Sequence, residues 1–202
     1  MRALAKLFGS IVFVAAPVFL FASCDAGGVG DPCVPEEEFQ HDFSGFSRSE
    51  VNFESGSLQC KTRTCLVNHF QGRVSCPFGQ DEAALDLEPN DPRRCRLPGL
   101  AGADESEAVV VPVDPWKVDR TPEQAVYCSC RCAGPDKSAR YCECPSGYTC
   151  AELSKEYVQS RRQLTGSYCV KDGTVFDPTT ARSATCVERP DDPNCPADGV
   201  NP

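Results

Sequence analysis

Only two histidines, His41 and His69, occur in the 202 residues, and neither belongs to a His-Glu-x-x-His pair. Gly-x-Ser-x-Gly and a phosphate-binding glycine loop are missing too, so the local signatures of zinc proteases, α/β-hydrolases and nucleotide-binding folds are lacking. A Ser/His/Asp set can assemble from distant positions, but it would have to use one of these two histidines. His69 lies in the strand-like run Val67-Asn68-His69-Phe70, where a structural histidine is expected. Cys-x-x-Cys is absent, which argues against thioredoxin-type exchange and c-type haem attachment. Basic residues are scarce, 20 against 29 acidic ones for a net charge of −9, so no nucleic-acid role is suggested. The long uncharged run, Leu7 to Ala22, is interrupted by Pro17 and falls short of the roughly 20 residues that span hydrocarbon.

What that run offers instead is export. Arg2 and Lys6 precede it, and Leu20-Phe21-Ala22-Ser23-Cys24 closes it. Small residues directly before a cysteine resemble a bacterial lipobox, where signal peptidase II cuts and the new first residue is lipid-modified. The expectation is a signal peptide over 1–23, removed on maturation, lipid attachment (palmitate among the acyl chains) at Cys24, and a flexible lipid tether over 24–32. Phe21 stands where such boxes more often carry Leu, so ordinary secretion by a cut beyond Cys24 competes. Every version exports the remainder.

Losing residues 1–23 leaves 179 residues, and with Arg2 and Lys6 gone the balance is 18 basic to 29 acidic, or −11. Such a surface repels anionic headgroups, so the membrane contact is expected through acyl chains. Asp25 resembles the inner-membrane retention signal of enteric bacteria, a sorting rule that does not hold in all lineages. The outer membrane is expected over the inner one for an acidic, cystine-rich domain.

Cysteine is the residue the chain has in excess. Besides Cys24 there are fourteen: Cys33, Cys60, Cys65, Cys76, Cys95, Cys128, Cys130, Cys132, Cys142, Cys144, Cys150, Cys169, Cys186 and Cys195. An even number outside the reducing cytosol reads as seven disulfides. Five precede the cysteine-free stretch 96–127 and nine follow it, and two odd groups cannot each close internally. Full oxidation within the monomer therefore needs at least one bridge between the halves. The fourteen allow about 135,000 pairings, so the crossing cysteine cannot be named. The fold class expected is small, disulfide-rich and mainly β with one short helix: one stapled domain over 33–198, with lobes of about 33–100 and 101–198.

Residues 34–50, with the acidic triplet Glu36–Glu38, read as a loop-rich entry. Val51, Phe53 and Ser55 alternate with polar residues, and Thr64–Phe70 followed by Arg73–Cys76 reads as strands joined by tight turns. Residues 78–94 read as a solvated acidic loop, and Ala108–Val113, which contains Pro112, as an edge strand. A hairpin is expected over 128–144. Its extended arms, Cys128-Ser129-Cys130-Arg131-Cys132 and Cys142-Glu143-Cys144, would put five sulfurs on one face. The helix is placed at about Glu152 to Gln163, with Arg161 and Arg162 at its C-terminal end and Gly166 as its cap. Asp172-Gly173 predicts a second hairpin, between Tyr168–Lys171 and Thr174–Phe176.

Closely spaced thiolates on the 128–144 hairpin would suit a soft metal, but ligation requires reduced sulfur, and an exported chain favours cystine; no metal or other cofactor is expected. The tail Asp191-Asp192-Pro193-Asn194-Cys195-Pro196-Ala197-Asp198 gathers oxygens yet lacks the order and closing Glu of a calcium loop. Cys142-Glu143-Cys144-Pro145-Ser146-Gly147-Tyr148 resembles the second half of an EGF-like module, although the cysteines before it are too close and Cys150 comes too early.

Four stretches, Gly30–Pro35, Cys65–Pro77, Cys128–Asp136 and Gly166–Gly173, together resemble a group of uncharacterised cysteine-rich lipoproteins of Gram-negative soil bacteria. The likeness covers most of the mature chain and implies an envelope location without implying an activity. The function expected is non-enzymatic: structural or protein-binding, with a protein partner in the cell envelope, such as a subunit of a surface assembly. The competing reading is a metal- or redox-active periplasmic protein that uses the hairpin 128–144.

Overall fold

The structure, a computed structural model, describes residues 26–99, 107–153, 165–179, 184–197, 199 and 201. Cys24 and the signal segment lie outside these residues, as does nearly all of the stretch expected to be helical. Glu152, the expected first residue of that helix, instead ends a strand.

The fold is small, disulfide-rich and mainly β, built from two three-stranded antiparallel sheets. β1 (Val51–Ser55), β2 (Thr64–Asn68) and β3 (Val126–Cys128) form the first sheet in that order. Phe53 faces Leu66 across β1–β2, and Leu66 faces Tyr127 across β2–β3. β4 (Arg131–Ala133), β5 (Tyr148–Glu152) and β6 (Ser167–Lys171) form the second, with β6 central. From Cys65 to Asn68, β2 is buried on both faces, which is why Leu66 and Val67 are consecutive apolar residues where a half-exposed strand would alternate.

Two four-residue helices were not anticipated. α1 (Glu82–Leu85) is capped by Asp81, whose carboxylate accepts from the Ala84 N–H at 2.9 Å. α2 (Pro122–Ala125) has proline at its first position, and the Gln124 side chain accepts from the Thr121 N–H. A 3₁₀ turn, Glu36–Phe39, interrupts the expected entry loop.

The bridges are Cys33–Cys65, Cys60–Cys128, Cys76–Cys95, Cys130–Cys142, Cys132–Cys150, Cys144–Cys169 and Cys186–Cys195. Cys60–Cys128 is the bridge between the halves that parity requires. Three of the bridges lie in the main core with Phe46, Val67, Phe70, Trp116, Val118 and Val126, and Cys76–Cys95 sits in a smaller cluster with Leu97, Val109 and Val113.

Several local expectations are corrected. Residues 26–32 are bound to the fold and do not form a free tether. The Gly30 N–H donates to the Cys128 carbonyl at 2.8 Å, the Cys128 N–H to the Asp31 carbonyl at 2.8 Å, and the Lys61 N–H to the Gly27 carbonyl at 2.8 Å. Residues 73–76 form a turn, closed by the Cys76 N–H on the Arg73 carbonyl, because the Arg73 side chain is buried and held from three sides. Ala108–Val113 makes isolated bridges and no ladder strand, since the buried Gln80 side chain takes up the Val109 and Val111 carbonyls at 3.0 and 2.6 Å. That contact also shows that 78–94 is not simply solvated: Arg94 is buried and donates to the Leu85, Leu87 and Val109 carbonyls.

The 128–144 hairpin does not form either. Cys128 ends a strand of the first sheet, the chain crosses at Ser129-Cys130, and Arg131 opens a strand of the second, so the five sulfurs do not share one face. Residues 142–144 return without a ladder, tied by the Cys142 N–H to the Arg131 carbonyl at 3.1 Å. Asp172-Gly173 turns as expected, but Thr174–Phe176 leaves the sheet, because both edges of β6 are taken by β4 and β5.

Candidate binding groove

A cavity of about 1300 Å³, open to solvent, is formed mainly by four segments distant in sequence, 44–49, 78–87, 112–115 and 185–190, joined by Gln71, Pro92, Arg93, Gly199 and Asn201. Its floor is backbone packed on backbone. Gly45 and Gly79 line it and Gly72 packs behind Gly45; all three have positive φ, at 98°, 65° and 86°. A Cβ on Gly45 would lie 2.8 Å from the Gly72 carbonyl carbon, one on Gly72 would run into the Asp114 carbonyl oxygen, and one on Gly79 into that of Val113. Glycine is required at all three by both backbone angle and space.

The walls mix apolar side chains, Phe46, Phe78, Leu87, Val113, Pro115 and Val187, with nearly as much polar surface from residues such as Ser44, Ser49, Gln80 and Asp114. Several charged groups around the rim are engaged locally. Asp81 caps α1, Glu188 accepts from the Thr185 N–H and hydroxyl at 2.7 and 3.1 Å, and Arg48 pairs with Asp119 at 2.8 Å. Arg93 grips Asp91 at 2.9 Å, and its hydrogen bonds hold the Asp91 carboxyl down to about 2. The C-terminal segment is fastened to this wall by buried Asn201, whose Oδ1 accepts from the Phe78 N–H and whose Nδ2 donates to the Gly79 and Arg93 carbonyls.

A polar anchor holds the turn that follows Gly72. Glu38 and Arg73 are both fully buried. The Glu38 carboxylate accepts from the Val74 N–H, the Ser75 N–H at 3.1 Å and the Ser75 hydroxyl at 3.0 Å, while Arg73 donates to the Gln40, Phe43 and Glu38 carbonyls. Burial pushes the Glu38 carboxyl up despite these donors and the nearby Arg73 charge. Trp116 locks the same turn by donating its indole N–H to the Arg73 carbonyl at 2.6 Å.

Both histidines bond backbone carbonyls through Nδ1. His41 bonds the Ala108 carbonyl through Nδ1 at 2.9 Å. His69 follows the end of β2 with a positive φ of 53°, bonds the Arg48 carbonyl and stacks on Phe176 with ring centroids 4.3 Å apart. Burial lowers its pKa, and the Arg120 and Arg48 charges lower it further. In the acidic tail, Asp192 accepts from Asn194 and pairs with Arg189 at 3.1 Å, so its oxygens are used within the tail.

The predicted cysteine site divides between the two sheets. Cys128 goes with the first, while Cys130, Cys132, Cys142, Cys144, Cys150 and Cys169 gather on the second as three contiguous disulfides. Cys130 Sγ lies 3.6 Å and Cys142 Sγ 3.8 Å from Cys169 Sγ. The sulfurs of Cys132, Cys144 and Cys150 lie within 4.8 Å of one another.

Sequence reading missed the groove because none of its four segments carries a motif. The glycine spacing was visible, but not what those glycines approach. No helix among the described residues is long and apolar enough to cross a membrane. No family model, curated protein or solved structure matches this chain.

Proposed function

We propose that this chain is a non-enzymatic lipoprotein of the bacterial cell envelope, held by lipid on Cys24 at the outer membrane, whose stapled domain holds a segment of another envelope protein. The observation that carries the binding role is the groove: walls of mixed apolar and polar side chains, a floor of closely packed backbone and a volume of about 1300 Å³. Sites for small molecules are typically about 300–1,000 Å³ and enclose most of the ligand. A larger, open trough that offers both apolar and polar contacts suits a polypeptide segment better. The lipid anchor rests on the lipobox-like sequence ending at Cys24, and the oxidised cysteines suit an exported chain.

The test is photo-cross-linking in intact envelopes from a photoreactive residue at Val187, on the groove wall, with Leu58, an exposed residue outside the groove, as the control. The expected result is one discrete protein adduct from position 187 and none from 58. No adduct, or the same adducts from both positions, would refute the groove as a binding site. Acyl chains missing from the intact mass would refute the anchor separately.

The metal reading of 128–144 retains one supporting observation, the two sulfur trios of the second sheet. Each trio includes a disulfide pair, so a thiolate site would first need reduction.

A further inference from the structure

The three disulfides of the second sheet form a graded column. Cys150 is exposed, Cys132, Cys144 and Cys142 are half-buried, and Cys130 and Cys169 are buried. Cys150 and Cys169 are direct partners in the β5–β6 ladder, yet each is bonded elsewhere, to Cys132 and Cys144. The sulfurs are therefore close enough to exchange partners without moving a strand: Cys132 beside Cys144 within 4.8 Å, and Cys169 at 3.6 and 3.8 Å from Cys130 and Cys142.

We infer that this column is a thiol-capture site: an external thiol, small or on a protein, forms a mixed disulfide at Cys150, and the displaced thiolate is relayed inward through two further exchanges. This inference is independent of the groove and of the lipid anchor. The incoming thiol gives its proton to water, and its thiolate attacks Cys150 Sγ, breaking Cys132–Cys150 and leaving Cys132 as thiolate. Cys132 attacks Cys144 Sγ, forming Cys132–Cys144 and releasing Cys169. Cys169 then attacks Cys142 or Cys130, forming a bond to one and releasing the other, which takes up a proton. Six internal disulfides, one mixed disulfide and one thiol result, with no net oxidation or reduction.

The relay favours capture over reversal. In an ordinary exposed disulfide the displaced thiol stays beside the mixed disulfide and expels the newcomer by the reverse attack. Here the thiol left at the end is the buried Cys130 or the half-buried Cys142, where burial favours the protonated form, and not the Cys132 that was bonded to Cys150.

The experiment treats the full, oxidised chain with reduced glutathione, quenches with N-ethylmaleimide and maps both labels by peptide mass spectrometry. The expected result is glutathione on Cys150 and maleimide on Cys130 or Cys142, one of each per chain. Maleimide confined to Cys132 or to Cys169 would overturn the relay. No adduct, or glutathione placed first on Cys186 or Cys195, would overturn the capture site. In the Cys144→Ala/Cys169→Ala chain the maleimide should return to Cys132; if that variant does not fold, the map of the parent chain still decides.

Discussion

Cys65 and Cys128 stand directly opposite each other in the β2–β3 ladder and are not bonded to each other. Cys65 reaches back to Cys33 in the entry segment, and Cys128 to Cys60 in the connection between β1 and β2, so no disulfide joins the facing residues of the ladder. Cys150 and Cys169 repeat the arrangement across β5–β6.

Cys60–Cys128 spans 68 residues, and loop closure alone assigns it about 4 kcal/mol, against about 3 kcal/mol for Cys186–Cys195 over 9 residues. Replacing Cys60 and Cys128 by alanine should therefore lower the urea midpoint more than replacing Cys186 and Cys195. Equal losses would show that the long closure adds nothing.

Glu38 should make stability fall with rising pH. Its folded pKa lies above the ordinary 4.5, so the folded state holds the proton more tightly, and that contribution is lost as pH rises from about 4.5 through the folded pKa. Glu38→Gln should remove this slope from the pH dependence of the unfolding free energy. Glu38→Ala, which strands the Val74 and Ser75 donors and the Arg73 charge, should cost about 3 kcal/mol.

His69 works in the opposite sense. Its folded pKa lies below 6.5, so stability is present above that value and lost as pH falls below it. In His69→Asn, where asparagine tolerates the left-handed backbone, the loss between about pH 7 and 5 should vanish. Urea titrations of both proteins across that range provide the check.

Gly72→Ala should cost about 3 kcal/mol, because backbone strain adds to the overlap with the Asp114 carbonyl. Gly173, with a similar φ of 75° but open space around it, should lose only about 1 kcal/mol on the same change. Similar losses at both would mean that the backbone behind the groove floor relaxes freely.

Much of the fold was legible where a local rule decides it. The alternation at Val51–Ser55 gave β1, the run from Thr64 gave β2, and Asp172-Gly173 gave a turn. The two short helices carried their signals too, Asp81 as a cap and Thr121-Pro122 before Gln124, but four residues are too few for periodicity to register. Two of the failures, at 73–76 and 108–113, share one cause, a side chain replacing a strand as hydrogen-bond partner, whereas the 128–144 hairpin fails because the chain crosses from one sheet to the other after Cys128. Gln80 satisfies Val109 and Val111, and Arg73 satisfies Gln40 and Phe43, and neither contact leaves a trace in pattern. Parity showed that a bridge must cross between the halves, but only geometry identified Cys60 and Cys128.

Of the seven bridges, only Cys76–Cys95 and Cys186–Cys195 join cysteines that are consecutive along the chain. As the polypeptide emerges N-terminus first, Cys33 and Cys60 meet each other before either native partner exists, and Cys60 must then pass over Cys65, Cys76 and Cys95 to reach Cys128. Fast oxidation in order of arrival would trap the wrong pairs. The finished connectivity is thus one in which folding sets the pace and sulfur chemistry follows. Haste from a strong oxidant works against this protein, and a reshuffling catalyst works for it.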